Sequence, residues 1–165
     1  MAGYGLPNEQ HLSVVLQNNL SLEGHNIEVI NGSVSGSTTA GGLNIAEWTL
    51  SENNIDLMIL CLGANDMLRG INPKETKNNL IEIIKIAKSK NIKVIIAGMI
   101  APTSHGTNYK KSFDKIFKDL SNEYELQLIP FLLEGVAQKP EFNLSDGMHP
   151  NDQGTIIIGN TLKKA

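Results

Sequence analysis

The stretch IDLMILCL, residues 55–62, decides the fold class of this chain because seven of its eight residues are apolar. An apolar run of this length predicts a strand that is buried on both faces, as the strands of parallel sheets are. Segments with helical spacing stand on both sides of it, and further short β-rich runs follow. Such an alternation of helices and strands predicts an α/β fold with a parallel sheet.

The spacing of apolar residues predicts the remaining elements. Helices are expected over 8–23, from the polar loop 31–39 to about 50, from Pro73, over 108–124 and over 151–162, and strands over 27–30, 92–97 and 126–129. The chain opens on a helix, although in a doubly wound domain a helix usually returns the chain from one strand to the next. We therefore expect either an added helix or a first strand that lies outside this sequence.

The composition describes an ordinary globular protein. Of 165 residues, 41% are hydrophobic and 19% are charged, and the formal net charge is -3. These values exclude a disordered chain and give no sign of a nucleic acid partner. We expect one domain over residues 1–165 and favour a monomer. We expect no transmembrane segment, because the apolar stretches are far shorter than about 18 residues.

Cysteine and histidine usage narrows the chemistry. Cys61 is the single cysteine, so it cannot form an internal disulfide, and we expect it to pack as a small core residue. His11, His25 and His105 do not show the spacing of metal ligands. We therefore expect no metal site and interpret these histidines as solvated or capping residues.

A carboxylate precedes an imidazole by three residues in SDGMHP, residues 145–150. In a Ser-His-Asp hydrolase the carboxylate holds one ring nitrogen of the histidine, and the other nitrogen takes the proton of the attacking hydroxyl. Asp146 and His149 are therefore candidates for the orienting carboxylate and the general base, with their side chains expected within about 2.6–3.2 Å. Taken alone, the motif is also compatible with a surface turn.

Polar loops supply the other candidate groups. Ligands of open parallel sheets bind beyond the carboxyl ends of the strands, so one crevice is expected to border four loops: 31–39, 63–72, 99–107 and 143–150. The Gly36 N–H and the Asn65 amide are candidate donors of an oxyanion hole. The glycines alone indicate only tight turning, and no lysine follows them as a phosphate loop requires. Asn65 and Asp66 are also typical turn-capping residues, and for Asp66 we favour that structural role.

These motifs, in this order, resemble the SGNH (GDSL) hydrolases, and within them the bacterial arylesterase and thioesterase I/lysophospholipase branch. Five segments carry the resemblance: AGYGLP at 2–7, SGSTTAGG at 35–42, GAND at 63–66, PFLLEGVA at 130–137 and DGMHP at 146–150. It implies a flavodoxin-like three-layer α/β/α fold, no metal or organic cofactor, and hydrolysis of acyl esters or thioesters through an acyl-enzyme. By the same resemblance, Gly36 and Asn65 hold the oxyanion, His149 is the base, and Asp146 orients it.

The nucleophile is the part of the family pattern that this sequence does not match. In relatives, a Gly-Asp-Ser-Leu segment ends the first, internal strand just before the stretch matched by residues 2–7. We therefore expect this domain to be N-terminally incomplete, without that strand and without the nucleophilic serine. No replacement is expected among the serines of the other loops: Ser33, Ser35, Ser37, Ser104 and Ser145.

The sequence leaves three hypotheses. The chain is the body of an active esterase of arylesterase, acyl-CoA thioesterase or lysophospholipase type, acting on a small-molecule acyl ester or thioester. Alternatively, it is a catalytically inactive truncated domain that at most binds acyl ligands, or it is an unrelated flavodoxin-like binding module. By resemblance, the protein is periplasmic or secreted if a signal peptide precedes it, and cytoplasmic otherwise.

The absent strand has an expected cost. Strands 27–30 and 55–62 would flank it, so they should stand nearly twice the usual spacing of about 4.8 Å apart, with unpaired backbone groups between them. Each such buried group costs roughly 1–3 kcal/mol against a total stability of about 5–15 kcal/mol. We therefore expect the isolated chain to be poorly stable or to aggregate.

Overall fold

A computed structural model describes residues 2–51 and 54–165 of the chain. The described elements are helices α1 (Leu12–Leu22), α2 (Thr39–Thr49), α3 (Ala64–Leu68), α4 (Pro73–Ser89), α5 (Thr107–Tyr124) and α6 (Asp152–Lys163), and strands β1 (Leu57–Leu60), β2 (Lys93–Ala97) and β3 (Gln127–Ile129). The chain divides into a terminal unit, formed by residues up to Ser35 with Leu132–Ala165, and a central unit, Gly36–Phe131. That residues 1–165 form one domain stays a prediction.

The central unit contains a parallel sheet with the strand order β1-β2-β3. Ile59 pairs with Ile95, and Ile96 pairs with Leu128. Parallel neighbours need a crossover connection, which α3 and α4 provide between β1 and β2 and which α5 provides between β2 and β3. The predicted alternation of helices and strands, and the parallel sheet, are confirmed here.

Helix α4 covers this sheet as its sequence predicts. Pro73 occupies the first turn, and the Asn72 side chain accepts the backbone N–H of Lys74 at 3.0 Å, which caps the helix. α4 packs against β2 and α5. The residues predicted to form its buried face are at most 2% exposed: Leu80, Ile83, Ile84 and Ala87. Burying a side chain of this kind stabilises by about 1.5–3 kcal/mol, so this face holds α4 on the sheet.

The prediction that the strand at 55–62 is buried on both faces is wrong. β1 lies at the edge of the described sheet, where Leu57 is 46% exposed and only Leu60 is buried. An edge strand has a neighbour on one side only, so less of its surface is covered. The apolar composition of the run predicted the strand but not its place in the sheet.

The predicted strand over 27–30 is also wrong, because these residues join no sheet. A side chain pairs their backbone instead: Gln17 of α1 donates to the Ile27 carbonyl at 2.8 Å and accepts the Val29 N–H at 2.7 Å. A strand needs a second strand to take its backbone groups, and the described residues supply none here. The slot expected beside this run stays a prediction.

Helix α3 is absent from the predicted elements, which treat 63–72 as a loop. Gly63 precedes the helix with a φ of 111°, in the region that favours glycine, and a Cβ there would lie 3.2 Å from the Phe117 ring. A helix of five residues is too short for a helical period of apolar residues to show. As a result, Asn65 and Asp66 lie on a helix rather than in a loop.

The terminal unit is built on the packing of α1 against α6. Leu16 of α1 and Ile158 of α6 are buried. Gly159 permits the close approach of the two helices, since a Cβ at this position would lie 3.0 Å from Val15 Cγ1. Both helices were predicted from the sequence, and both are confirmed.

Candidate active site

Residues 143–150 form a closed loop in the terminal unit, just before α6. The Leu144 N–H donates to the His149 carbonyl at 2.7 Å across the loop. The Asn143 side chain is 8% exposed and donates to the Val136 carbonyl at 2.8 Å. The loop is therefore held in shape by its own hydrogen bonds and by the segment that precedes it.

Asp146 and His149 face each other within this loop. Asp146 Oδ2 and His149 Nδ1 are 2.8 Å apart, so the predicted contact is confirmed. Because an ionised carboxylate only accepts hydrogen bonds, Nδ1 carries the hydrogen, and Nε2 of the neutral ring keeps its lone pair. Nε2 has no hydrogen-bond partner among the described residues. This Asp–His dyad (Asp146 and His149) can therefore accept a proton from a hydroxyl group.

Three hydrogen bonds favour the charged form of Asp146. The backbone N–H of His149 donates to Oδ1 at 2.9 Å, the His149 ring donates to Oδ2, and the Met148 N–H donates to Oδ1 at 2.8 Å. In that order of size, they lower the pKa of Asp146 from 3.8 to about 2. The side chain is therefore a carboxylate, and an acceptor for the imidazole, throughout the neutral range.

The ring of Tyr4 lies over the imidazole of His149, with centroids 4.4 Å apart and planes tilted by 34°. Tyr4 stands on a turn in which the Leu6 N–H donates to the Gly3 carbonyl at 3.0 Å. His11 fixes this turn, because its Nε2 donates to the Leu6 carbonyl at 3.1 Å. Sequence reasoning quoted Tyr4 only as part of a motif, since no local spacing indicates a contact across so many residues.

The two candidate oxyanion donors lie in the central unit. Gly36 has a φ of 73°, and its N–H has no hydrogen-bond partner within the part of the chain that the structure describes. Asn65 Nδ2 donates one hydrogen to the Ser37 carbonyl at 3.0 Å, which leaves its second N–H for another acceptor. Arg69 Nη2 donates to the Gly36 carbonyl at 3.0 Å. Sequence reasoning missed Arg69, although it is the only arginine in the sequence.

Asp66 has a structural role, but it does not cap its own turn. It is 1% exposed and accepts the backbone N–H of Thr39 at 2.8 Å. Its other oxygen accepts the hydroxyls of Thr39 and Thr76. Asp66 therefore caps the first turn of α2 and links α2, α3 and α4, which fixes the position of its neighbour Asn65.

No alternative nucleophile stands out beside the dyad. In residues 2–51 and 54–165, no serine hydroxyl is hydrogen-bonded to His149, and that of Ser37 donates to the Thr38 carbonyl at 3.2 Å. Cys61 keeps some exposed surface, yet burial by the surrounding atoms raises the pKa of its thiol to about 11. A thiol with this pKa is not ionised at neutral pH, and the thiolate is the nucleophilic form.

The described residues hold no group of three or more His, Cys, Asp or Glu side chains that could bind a metal ion. They also contain no helix that is both long enough and apolar enough to cross a membrane. The four loops expected to border one crevice belong partly to one unit and partly to the other, so that expectation stays a prediction.

Known proteins similar to this chain identify its family. The model of the GDSL-like lipase/acylhydrolase family matches residues 1–155. The arylesterase of Vibrio mimicus is 38% identical over 152 residues, which cover 92% of this chain and 76% of the relative. Esterase TesA of Pseudomonas aeruginosa is 34% identical over 149 residues, which cover 90% of this chain and 74% of the relative.

A solved structure agrees with these relatives. The crystal structure of AlinE4, an SGNH-hydrolase family esterase, is 36% identical, with a TM-score of 0.85 over 99% of this chain and 87% of that chain. The fold is thus the three-layer α/β/α fold of SGNH hydrolases, as the sequence predicted, and an unrelated binding module is excluded. The chain belongs to the GDSL-like lipase/acylhydrolase family, and its relatives are SGNH-type carboxylic ester hydrolases.

Proposed function

We propose that this chain is the body of a serine esterase that hydrolyses acyl esters or thioesters through an acyl-enzyme. The Asp–His dyad carries the proposal, because Asp146 lies 2.8 Å from His149 Nδ1 and Nε2 has no partner among the described residues. In a chain of this family, such a dyad supports general-base catalysis on a hydroxyl. A simple surface turn would require only the backbone hydrogen bonds to Asp146, not an oriented ring.

The nucleophile in this proposal is a serine of a Gly-Asp-Ser-Leu segment that lies N-terminal to residue 1. The lack of any hydrogen bond between His149 and a serine hydroxyl of the described residues supports this assignment. The family resemblance supports it as well, since the matched stretch 2–7 directly follows that segment in relatives. Substrates are proposed to be small acyl esters, in line with the arylesterase and esterase names of the relatives.

The proposed reaction has two halves. The serine Oγ attacks the acyl carbonyl carbon while His149 Nε2 takes the hydroxyl proton, and the new bond gives a tetrahedral oxyanion. The Gly36 N–H and the free Asn65 N–H donate to this oxyanion. His149 then gives its proton to the alcohol or thiol as its bond to carbon breaks, and water repeats the steps on the acyl-enzyme. Asp146 stabilises the imidazolium each time it forms.

The test compares the 165-residue chain with the same chain extended by its upstream coding segment. Both proteins are assayed with a short-chain aryl ester and an acyl-CoA, and both are treated with a fluorophosphonate whose attachment site is located by mass spectrometry. We expect labelling and turnover only in the extended protein, with the label on a serine upstream of residue 1. Turnover should be lost in His149→Asn and kept in His25→Asn, a control at an exposed histidine.

Two results would overturn the proposal. Labelling of Ser33, Ser35 or Ser104 in the 165-residue chain would show that the nucleophile lies within it. An extended protein that binds an acyl ligand but hydrolyses neither substrate would favour the alternative, an inactive esterase-like domain.

A further inference from the structure

We propose that Arg69 is a positioning residue that fixes Gly36 as an oxyanion donor, an inference that rests on the proposed esterase function. Arg69 is the only arginine among the 14 lysine and arginine residues of the sequence. Its exposed guanidinium, just after the last residue of α3, donates to the Gly36 carbonyl at 3.0 Å. Within the described residues, the guanidinium has no other hydrogen-bond or ion-pair partner. The one arginine of the chain is thus committed to the backbone of the candidate oxyanion glycine.

Gly36 needs such an anchor because of its own conformation. It is exposed, it has a φ of 73°, and its side includes no Cβ to restrict the backbone. Glycine has more backbone freedom to lose than any other residue, so an unanchored glycine would present its N–H in several directions. An oxyanion donor is effective only when its direction is fixed before the charge develops. Arginine suits this task, because its planar set of donors binds an acceptor in a defined direction.

Asn65 provides a second anchor on the same loop. Its Nδ2 donates to the carbonyl of Ser37, the residue after Gly36, at 3.0 Å. Asn65 and Arg69 are four residues apart, so they project from the same face of α3. One face of a short helix therefore holds two successive carbonyls of the loop, and Arg69 holds the one that belongs to the donor residue.

The end of α3 that carries Arg69 is itself held in place. The Ile71 N–H donates to the Asp66 carbonyl at 2.9 Å, which closes the turn after the helix. The hydroxyl of Tyr109 on α5 donates to the Ile71 carbonyl at 2.9 Å. Arg69 therefore extends from a segment fixed on both sides, so its contact can transmit a fixed position to Gly36.

The experiment uses the extended protein and three variants: Arg69→Met, Arg69→Lys and Lys118→Met. Lys118 is an exposed cation on α5 and serves as the matched control. We expect Arg69→Met to lower kcat about 10- to 100-fold without a change in KM, since small misplacements of catalytic groups cost about that much. Arg69→Lys should restore part of the loss, and Lys118→Met should have no effect. The Gly36 amide signal in 15N NMR should shift or broaden in Arg69→Met only.

Each outcome decides the inference. An active parent protein whose Arg69→Met variant keeps its kcat would overturn the positioning role and leave the proposed function intact. A rise in KM for acyl-CoA, with kcat unchanged for a neutral aryl ester, would show that Arg69 binds the substrate instead. If the parent hydrolyses no ester, the proposed function fails, and the inference fails with it even if the Gly36 signal moves. Circular dichroism of each variant reports folding separately from these readouts.

Discussion

Asp66 Oδ2 accepts the backbone N–H of Thr39 at 2.8 Å in the interior of the central unit. The contact joins the first turn of α2 to α3. The first N–H groups of a helix have no partner within the helix and carry partial positive charge, so a carboxylate is favourable there. Since Asn65 directly precedes Asp66, the same contact also sets the position of the Asn65 amide.

Replacing Asp66 by Ala should lower the free energy of unfolding by about 2–4 kcal/mol, because it leaves the buried polar groups of Thr39 and Thr76 without their acceptor. Urea unfolding of the parent and the variant measures this difference. Asp56→Ala, which removes an exposed carboxylate, should change stability by less than about 0.5 kcal/mol. Equal effects of the two substitutions would contradict the capping role of Asp66.

The Asp146 carboxyl should titrate near pH 2, because the hydrogen bonds from His149 and Met148 lower its pKa. A pKa lowered in the folded state means that this contribution to stability is complete above the ordinary pKa of 3.8 and is lost as the pH falls toward 2. The side-chain carboxyl signal of Asp146, followed by 13C NMR against pH, gives its midpoint directly. A midpoint at or above 3.8 would show that the dyad does not hold the charged form.

The 165-residue chain should self-associate through β1, whose exposed edge carries the apolar Leu57. An edge strand with unpaired backbone groups and apolar side chains is a template for pairing with another chain. Leu57→Lys should therefore reduce light scattering by the protein on warming. Leu22→Lys should not, because Leu22 is 86% exposed on a helix rather than on a strand. A monomer that unfolds cooperatively at high temperature would contradict this prediction.

Sequence reasoning succeeded where a local pattern determines the structure. The face of α4 follows from apolar residues at helical spacing, and Leu80 and Ile84 are both fully buried as predicted. It failed where the outcome depends on a distant partner. Nothing in the run 27–30 shows that Gln17 will take its backbone groups, and nothing in 55–62 shows that β1 will lie at an edge.

The candidate site divides in the same way. The spacing of Asp146 and His149 predicts their contact because three residues can close one turn. The ring of Tyr4 over His149 joins residues far apart in sequence, so no spacing predicts it. The contact between Arg69 and Gly36 was missed for the same reason, and because α3 is too short to be recognised as a helix.

The most direct test of the account is the rate at which a fluorophosphonate labels the extended protein, because this reaction requires the serine and its base but no turnover. We expect His149→Asn to slow labelling by about a thousandfold or more, and Asp146→Asn to slow it as well, since each removes part of the dyad that takes the serine proton. His25→Asn should label at the parent rate. Labelling of His149→Asn at the parent rate would contradict the claim that the Asp–His dyad is the base of a serine esterase.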